Sequence, residues 1–286
     1  MAIRHHQPPI AATSSFCIGY LMKPPKLSPS SNFRCNICFA SKLEADPHPV
    51  FTSVKSFAPA TVANLGPGFD FLGCAIDGIG DYVTLTVDSN VQPGRLAIAE
   101  IAGVDSYSKR LSKNPLWNCA GIAAISVMKM LKIRSVGLSL SINNCLPLRG
   151  GLGSSAASAA AAAVAVNEIF GGKLQESELI LAGLKAEAKL SGYHADNIAP
   201  AIMGGFVLIR SYDPLELISL KFPPEKNLFF VLVNPEFQAQ TKKMRAVLPA
   251  EITLSDHVWN CSQAAALVAG VLQGGFGGFW EGVIVG

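Results

Sequence analysis

The run Pro147-Leu148-Arg149-Gly150-Gly151-Leu152-Gly153-Ser154-Ser155-Ala156-Ala157 constrains this chain more than any other stretch. Three glycines within four positions let the backbone take positive φ and bring its N–H groups close to a ligand. Two serines then stand where a helix would begin. An alanine-rich segment follows to Phe170 and stops at Gly171-Gly172, so the local order is glycine loop, then helix with a stop at its far end. A helix N-terminus carries unpaired N–H groups and a partial positive charge, and phosphate is its natural guest. The loop is not a Walker A sequence, because no Lys follows the last glycine. On these residues alone two readings stand, a phosphate cradle and a helix-packing turn with serine caps.

The segments around the loop give a mixed pattern. Residues 136–142 alternate as a half-buried strand and deliver the chain to the loop. Further strands are predicted at residues 50–57, 82–87, 96–101, 206–210 and 228–233. Helices are predicted at residues 115–131, 156–170, 176–190, 240–248 and 256–272. Between the first two strands lies a turn in which Gly66-Pro67-Gly68 is bracketed by Asn64 and Asp70. Those two side chains suit either a substrate or the backbone of the turn itself. After the helix carrying Glu187 comes Ser191-Gly192-Tyr193-His194-Ala195-Asp196-Asn197-Ile198-Ala199-Pro200, which packs His, Asp and Asn into four positions. That density suits a site, although a lone His in a loop is also common scaffolding. The Pro-rich connection at Asp213-Pro214 and Pro223-Pro224 is the predicted domain boundary.

Composition excludes several classes. Half of the 286 residues are hydrophobic and 15% are charged, the opposite of a disordered chain. Residues 1–43 hold Arg4, Lys23, Lys26, Arg34 and Lys42 with no acid, so against a total of +3 the remainder carries −2. Overall charge therefore gives no support to a nucleic-acid partner. The Ser- and Pro-rich, acid-free first segment suggests a plastid transit peptide with the mature start between residues 38 and 50; an ordinary disordered tail shares its composition. Cys35 and Cys38 form a C-x-x-C with no second pair, which disfavours a zinc site. Cys74, Cys119, Cys145 and Cys261 are expected as small core residues in a reducing compartment. No apolar run reaches 18 residues, so no membrane-spanning helix is expected.

Three motifs in order now carry a resemblance. The loop from Pro147 to Ala157 resembles the second signature of the GHMP kinase superfamily. Ala58-Pro59-Ala60-Thr61-Val62-Ala63-Asn64-Leu65-Gly66-Pro67-Gly68-Phe69-Asp70 and His194-Ala195-Asp196-Asn197-Ile198-Ala199-Pro200-Ala201 are similar to homoserine kinases within it, of plant plastid type. The likeness runs from residue 54 to residue 274. It implies an α+β, two-domain GHMP kinase fold: a ribosomal protein S5 domain 2-like ATP-binding domain over residues 50–215, then an incomplete ferredoxin-like domain over residues 216–273. Residues 1–49 would be the transit peptide, and the compartment the chloroplast stroma. The activity implied is ATP-dependent phosphorylation of L-homoserine, on the way to threonine.

The resemblance also implies site residues. Gly150, Gly151, Leu152, Gly153, Ser154 and Ser155, with Pro147 and Arg149, would cradle the ATP phosphates, and Asn118 would lie near the adenine. Ser154 and Glu187 would hold Mg²⁺, a hard cation suited to oxygen ligands. Asn64, Asp70, His194, Asp196, Asn197 and Arg245 would surround homoserine, with Arg245 on its carboxylate and Asn197 and Arg245 in the catalytic places. No general base is assigned, since positioning and charge neutralisation dominate phosphoryl transfer. Homodimers are common in the family. Another small-molecule GHMP kinase, of mevalonate type, and a non-catalytic nucleotide-binding remnant are the competing readings. Residues 274–286, with six glycines in thirteen positions, depart from the family, which continues into a third glycine-rich signature. The expectation from that departure is a C-terminally truncated chain with an incomplete second domain, uncovered apolar surface, low stability and lost activity.

Overall fold

The computed structural model describes residues 46–103, 111–147, 151–190, 192–231 and 245–275. Residues 1–45 of the predicted transit segment, Leu148, Arg149, Gly150, Lys242, Lys243 and residues 276–286 lie outside these ranges, as does most of the predicted helix at 240–248.

A six-stranded sheet forms the frame. β1 (Ser53–Ala63) runs antiparallel along β2 (Leu72–Val87), with a bulge between Pro59 and Ala60. Proline has no N–H for a ladder, and a bulge is one of the few places inside a sheet that accepts it. The other edge of β2 is shared. Its Tyr82–Val87 half pairs with β4 (Leu138–Asn144), and Leu72 to Cys74 pair with β5 (Phe206–Tyr212), both antiparallel. β3 (Leu96–Gly103) lies parallel to β4, and the long connection that parallel neighbours require carries helix α1 (Cys119–Met130). β6 (Leu215–Leu220) completes a hairpin with β5 and carries the sheet across the expected division at residues 215 and 216.

Helix α2 (Ser154–Ile169) packs on β1, β2 and β4 and against α1, α3 (Glu176–Leu190) and α4 (Ile198–Met203). Ala156, Ala157, Ala159, Ala160, Ala161, Ala162, Ala163 and Ala165 are all fully buried. A helix whose middle is apolar all round leaves only its ends to solvent, here at Ser155 and Glu168, and methyl-sized side chains let a sheet and three helices approach it together. Leu85, Leu138 and Leu140 of the sheet meet Ile169, Phe170, Ile180, Leu184 and Ile198 in the same core. Burying each such side chain contributes about 1.5–3 kcal/mol. Phe206 and Val207, neighbours on β5, fall into different clusters because successive strand residues face opposite ways. Phe206 joins Val62, Leu65, Leu72, Cys74 and Leu220 against Leu267 and Val271 of α5 (Leu254–Gln273).

Several sequence expectations change. β1 extends six residues past the predicted strand end at 57, and β2 begins ten residues before the predicted strand at 82. Its stretch before residue 82 holds Gly73, Gly78 and Gly80, which dilute the strand signature. Gly73 is needed for close approach, since a Cβ there would lie 1.6 Å from the Asp196 carbonyl oxygen. Residues 228–231 form no strand, and the rest of that predicted element lies outside the described residues. Cys145 and Cys261 are exposed, so only Cys74 and Cys119 approach the expected core placement. Burial pushes both of those thiols up, Cys74 to about 12, which makes them unreactive. Among the described residues no helix is long and apolar enough to cross a membrane.

Candidate active site

The glycine loop and the His-Asp-Asn segment meet across the end of β1. Gly151 and Gly153 take φ of 71° and 63°, and Gly153 is the left-handed residue from which α2 starts. A Cβ at Gly153 would lie 2.1 Å from Thr61 Oγ1 and 2.9 Å from Asn197 Oδ1, so only glycine fits between them. The Thr61 N–H donates to the Leu152 carbonyl at 3.1 Å, and the Thr61 hydroxyl donates to Asn197 Oδ1 at 2.8 Å. One threonine thus joins the loop to the N-terminus of α4.

The two serines divide their work differently from expectation. Ser154 is buried, and its hydroxyl donates to Asp81 Oδ2 at 3.1 Å. Ser155 is the one that reaches Glu187, donating to Oε1 at 2.9 Å. Because Gly153 and not a serine occupies the cap, α2 starts at Ser154, and one residue is about 100° of helix rotation. The hydrogen bond to Glu187 is therefore made by Ser155, where the resemblance implied Ser154 beside that carboxylate. Asn118 also has a structural occupation: its Oδ1 accepts from the N–H groups of Ala120 and Gly121 at the start of α1, and its Nδ2 donates to the Ser112 carbonyl. Pro147 is exposed at the foot of the loop.

A second cluster surrounds Asp70. Asn64 and Asp70 adopt φ of 55° and 63°, a left-handed conformation uncommon outside glycine, and the Asp70 N–H donates to Asn64 Oδ1 at 3.0 Å. Arg245 grips the Asp70 carboxylate with both terminal nitrogens, Nη1 to Oδ2 at 2.6 Å and Nη2 to Oδ1, while its guanidinium lies 4.8 Å from the Phe69 ring centre. His194 Nδ1 is 3.5 Å from Asp70 Oδ1. Tyr212 Oη accepts from the Ala195 N–H at 2.9 Å and donates to the Asp70 carbonyl at 3.3 Å, fixing the two loops to each other.

Electrostatics follow from this packing. The hydrogen-bonded Asp70 carboxylate raises the pKa of Arg245, against the opposing effect of burial. Burial lowers His194 from its ordinary value, with Asp70 pulling the other way, so the neutral imidazole is favoured. Asp196, 2% exposed, is pushed up to about 6 by burial and then by the Asp70 charge. Its Oδ1 and the Nε of Arg245 are buried without a hydrogen-bond partner among the described residues. Unpaired buried polar atoms of both signs beside a half-buried ion pair suit a small polar ligand.

Three residues of this arrangement went unassigned from sequence: Thr61, Asp81 and Tyr212. An acid inside the apolar strand Tyr82-Val83 and its neighbours was a usable signal for Asp81, and a lone hydroxyl in Ala58-Pro59-Ala60-Thr61-Val62-Ala63 a weaker one for Thr61. Tyr212 carried none. The loop fits a phosphate, because nothing lies within 4 Å of where a Cβ at Gly151 would stand and the backbone is open there. Among the described residues no group of three or more His, Cys, Asp or Glu could hold a metal. A cation beside the loop would meet the oxygens of Ser155 and Glu187 and would take its further ligands from phosphate and water. That is the usual situation for Mg²⁺ beside a nucleotide.

Residues 118–205 match the GHMP kinases N terminal domain family. The homoserine kinase of Arabidopsis thaliana is 67% identical over 251 residues, covering 88% of this chain and 67% of that protein. The homoserine kinase of Chloroherpeton thalassium is 40% identical, covering 77% of this chain and 70% of that one. Among solved structures, homoserine kinase from Cytophaga hutchinsonii superposes with a TM-score of 0.68 at 36% identity, covering 78% of this chain and 69% of its own.

Proposed function

The chain belongs to the homoserine kinases of the GHMP kinase family, and from that premise we propose that it transfers the terminal phosphoryl group of ATP to the hydroxyl of L-homoserine. The observation that carries the reading is the junction at Thr61, where the glycine loop and the polar acceptor loop come within one side chain of each other. In-line transfer requires donor and acceptor to be held together, and effective molarity from such placement is worth about 7–11 kcal/mol of barrier.

The residues divide accordingly. Backbone N–H groups from Gly151 to Ser155 receive the phosphates, Arg149 and Gly150 extend that loop, and Ser155 with Glu187 holds Mg²⁺. When bound, Mg²⁺ neutralises phosphate charge. Asn197 gives its Oδ1 to Thr61, which leaves its amide N–H groups as donors for the acceptor hydroxyl or the phosphoryl oxygens. Asp70 receives the homoserine ammonium and Arg245 its carboxylate, the two ends of the zwitterion replacing the contact these side chains make with each other. His194 and Asp196 line the same end, and Asn64 fixes the backbone of Asp70. No side chain is cast as a strong base; neutral His194 and the donors around the acceptor act by positioning and charge. The acid-free N-terminal segment and the plant relative support import into the chloroplast stroma and a place in threonine synthesis.

A parallel assay tests this. Full-length chain with ATP and Mg²⁺ is given L-homoserine or mevalonate, and ADP release and phosphoester formation are followed. Phosphorylation of homoserine alone is the expected result; equal use of mevalonate, or ADP release without a phosphoester, contradicts it.

A further inference from the structure

A buried carboxylate lies beneath the glycine loop and takes no part in the chemistry described so far. Asp81, on β2, is 0% exposed. Its Oδ1 accepts from the backbone N–H groups of Cys145 at 2.9 Å and Leu146 at 3.1 Å, where β4 ends and the loop begins. Its Oδ2 accepts from Asn144 Nδ2 at 2.9 Å, Ser154 Oγ at 3.1 Å and Ser158 Oγ at 2.7 Å, the last two in the first turns of α2, where the loop ends. Asn144 Nδ2 also donates to Ser158 Oγ at 2.8 Å, so the two stems are joined to each other as well as to the acid.

We propose that Asp81 is a positioning residue for the nucleotide, a clamp that fixes the separation of the two stems of the phosphate loop; this rests on reading the loop as the ATP site. Residues 147–153 leave Leu146 and return at Ser154, and a single carboxylate binds both points. β2 is itself held by β1 on one edge and β4 on the other, so the clamp stands on the most constrained strand of the sheet. Five donors converge on two oxygens, one more than the roughly four lone-pair sites a carboxylate has, so all of them are occupied. An amide at this position can supply only one acceptor oxygen and must turn its N–H groups toward other donors. The clamp would then open on one side, and the loop N–H groups would lose their common aim. Asp81 does not touch the acceptor cluster around Asp70, so its influence is directed at nucleotide alone.

The test compares full-length parent with Asp81→Asn and Ser158→Ala, measuring the dissociation constant of a non-hydrolysable ATP analogue by calorimetry and KM for L-homoserine at saturating ATP. Asp81→Asn is expected to weaken the analogue by about tenfold or more while homoserine KM stays within about twofold. Ser158→Ala, which keeps the carboxylate and removes one donor, weakens the analogue by about threefold with homoserine KM unchanged. A purely structural role would lower the folded fraction and leave both constants of the folded molecules where they were. Unchanged analogue affinity in folded Asp81→Asn overturns the proposal, as does equal weakening of both substrates. If Asp81→Asn does not fold, unchanged affinity in Ser158→Ala overturns it. A parent that fails to bind the analogue removes the nucleotide reading itself, and a parent that binds while the variants match it removes only the clamp.

Discussion

The layer of β1–β5 with α1–α4 and the stretch that carries α5 are built from similarly apolar sequence but packed very differently. In the first, α2 buries every residue but Ser155, Val164 and Glu168 and supports the glycine loop directly. In the second, Phe229 is 85% exposed, Val231 89% and Trp259 65%, and α5 touches the sheet mainly through Leu267 and Val271. The site takes one end from each. Its nucleotide side is preset by the core, whereas Arg245 arrives from the exposed stretch and is held by the Asp70 pair and the Phe69 ring. A partly exposed ion pair is worth about 0–1 kcal/mol, far less than the burial behind α2. Nucleotide binding and acceptor binding should therefore respond to different mutations.

The largest expected effect lies in the packed layer. Gly73→Ala puts a methyl 1.6 Å from the Asp196 carbonyl oxygen and 2.7 Å from its carbon, backbone that cannot swing aside. Overpacking against main chain costs about 3 kcal/mol or more here, read as a lower denaturation midpoint. Next comes Asp196→Asn. The carboxyl moves from 3.8 to about 6 on folding, so between those values the folded chain binds more protons than the unfolded chain. Stability is then highest below pH 4, falls as pH rises toward 6, and stays reduced above it. The amide removes that loss, making the variant more stable than the parent by about 1–3 kcal/mol at pH 8 and no more stable at pH 4. The smallest effect belongs to the exposed stretch: Trp259→Ser should change stability by less than about 0.5 kcal/mol. A large loss there would mean that the two regions are not packed as differently as their exposure indicates.

How much was legible in the sequence follows the same division. The 3.6-residue and two-residue periodicities at α1, α3 and β4 announced those elements, and the glycines marked the loop. β6 did not announce itself, because most of its residues are half-buried or exposed and the apolar alternation is blurred. The start of β2 was hidden by glycines that the fold needs for close approach at Asp196 and Ala58. The motifs point to the loops that meet here, yet the hydroxyl that reaches Glu187 belongs to Ser155 and that of Ser154 to Asp81, because a one-residue change in where a helix begins redirects every side chain on it. Asp81 shows the opposite limit. Its five partners are brought together from the end of β4, the two residues after it and the first turns of α2, and no spacing in the sequence displays that convergence.

Calorimetric titration of full-length parent and Arg245→Ala, each with an ATP analogue and with L-homoserine, tests the division of the site most directly. The account predicts analogue affinity within about twofold between the two proteins and homoserine affinity lower by about tenfold or more in the variant. Loss of analogue and homoserine binding together, or retention of both, would contradict it.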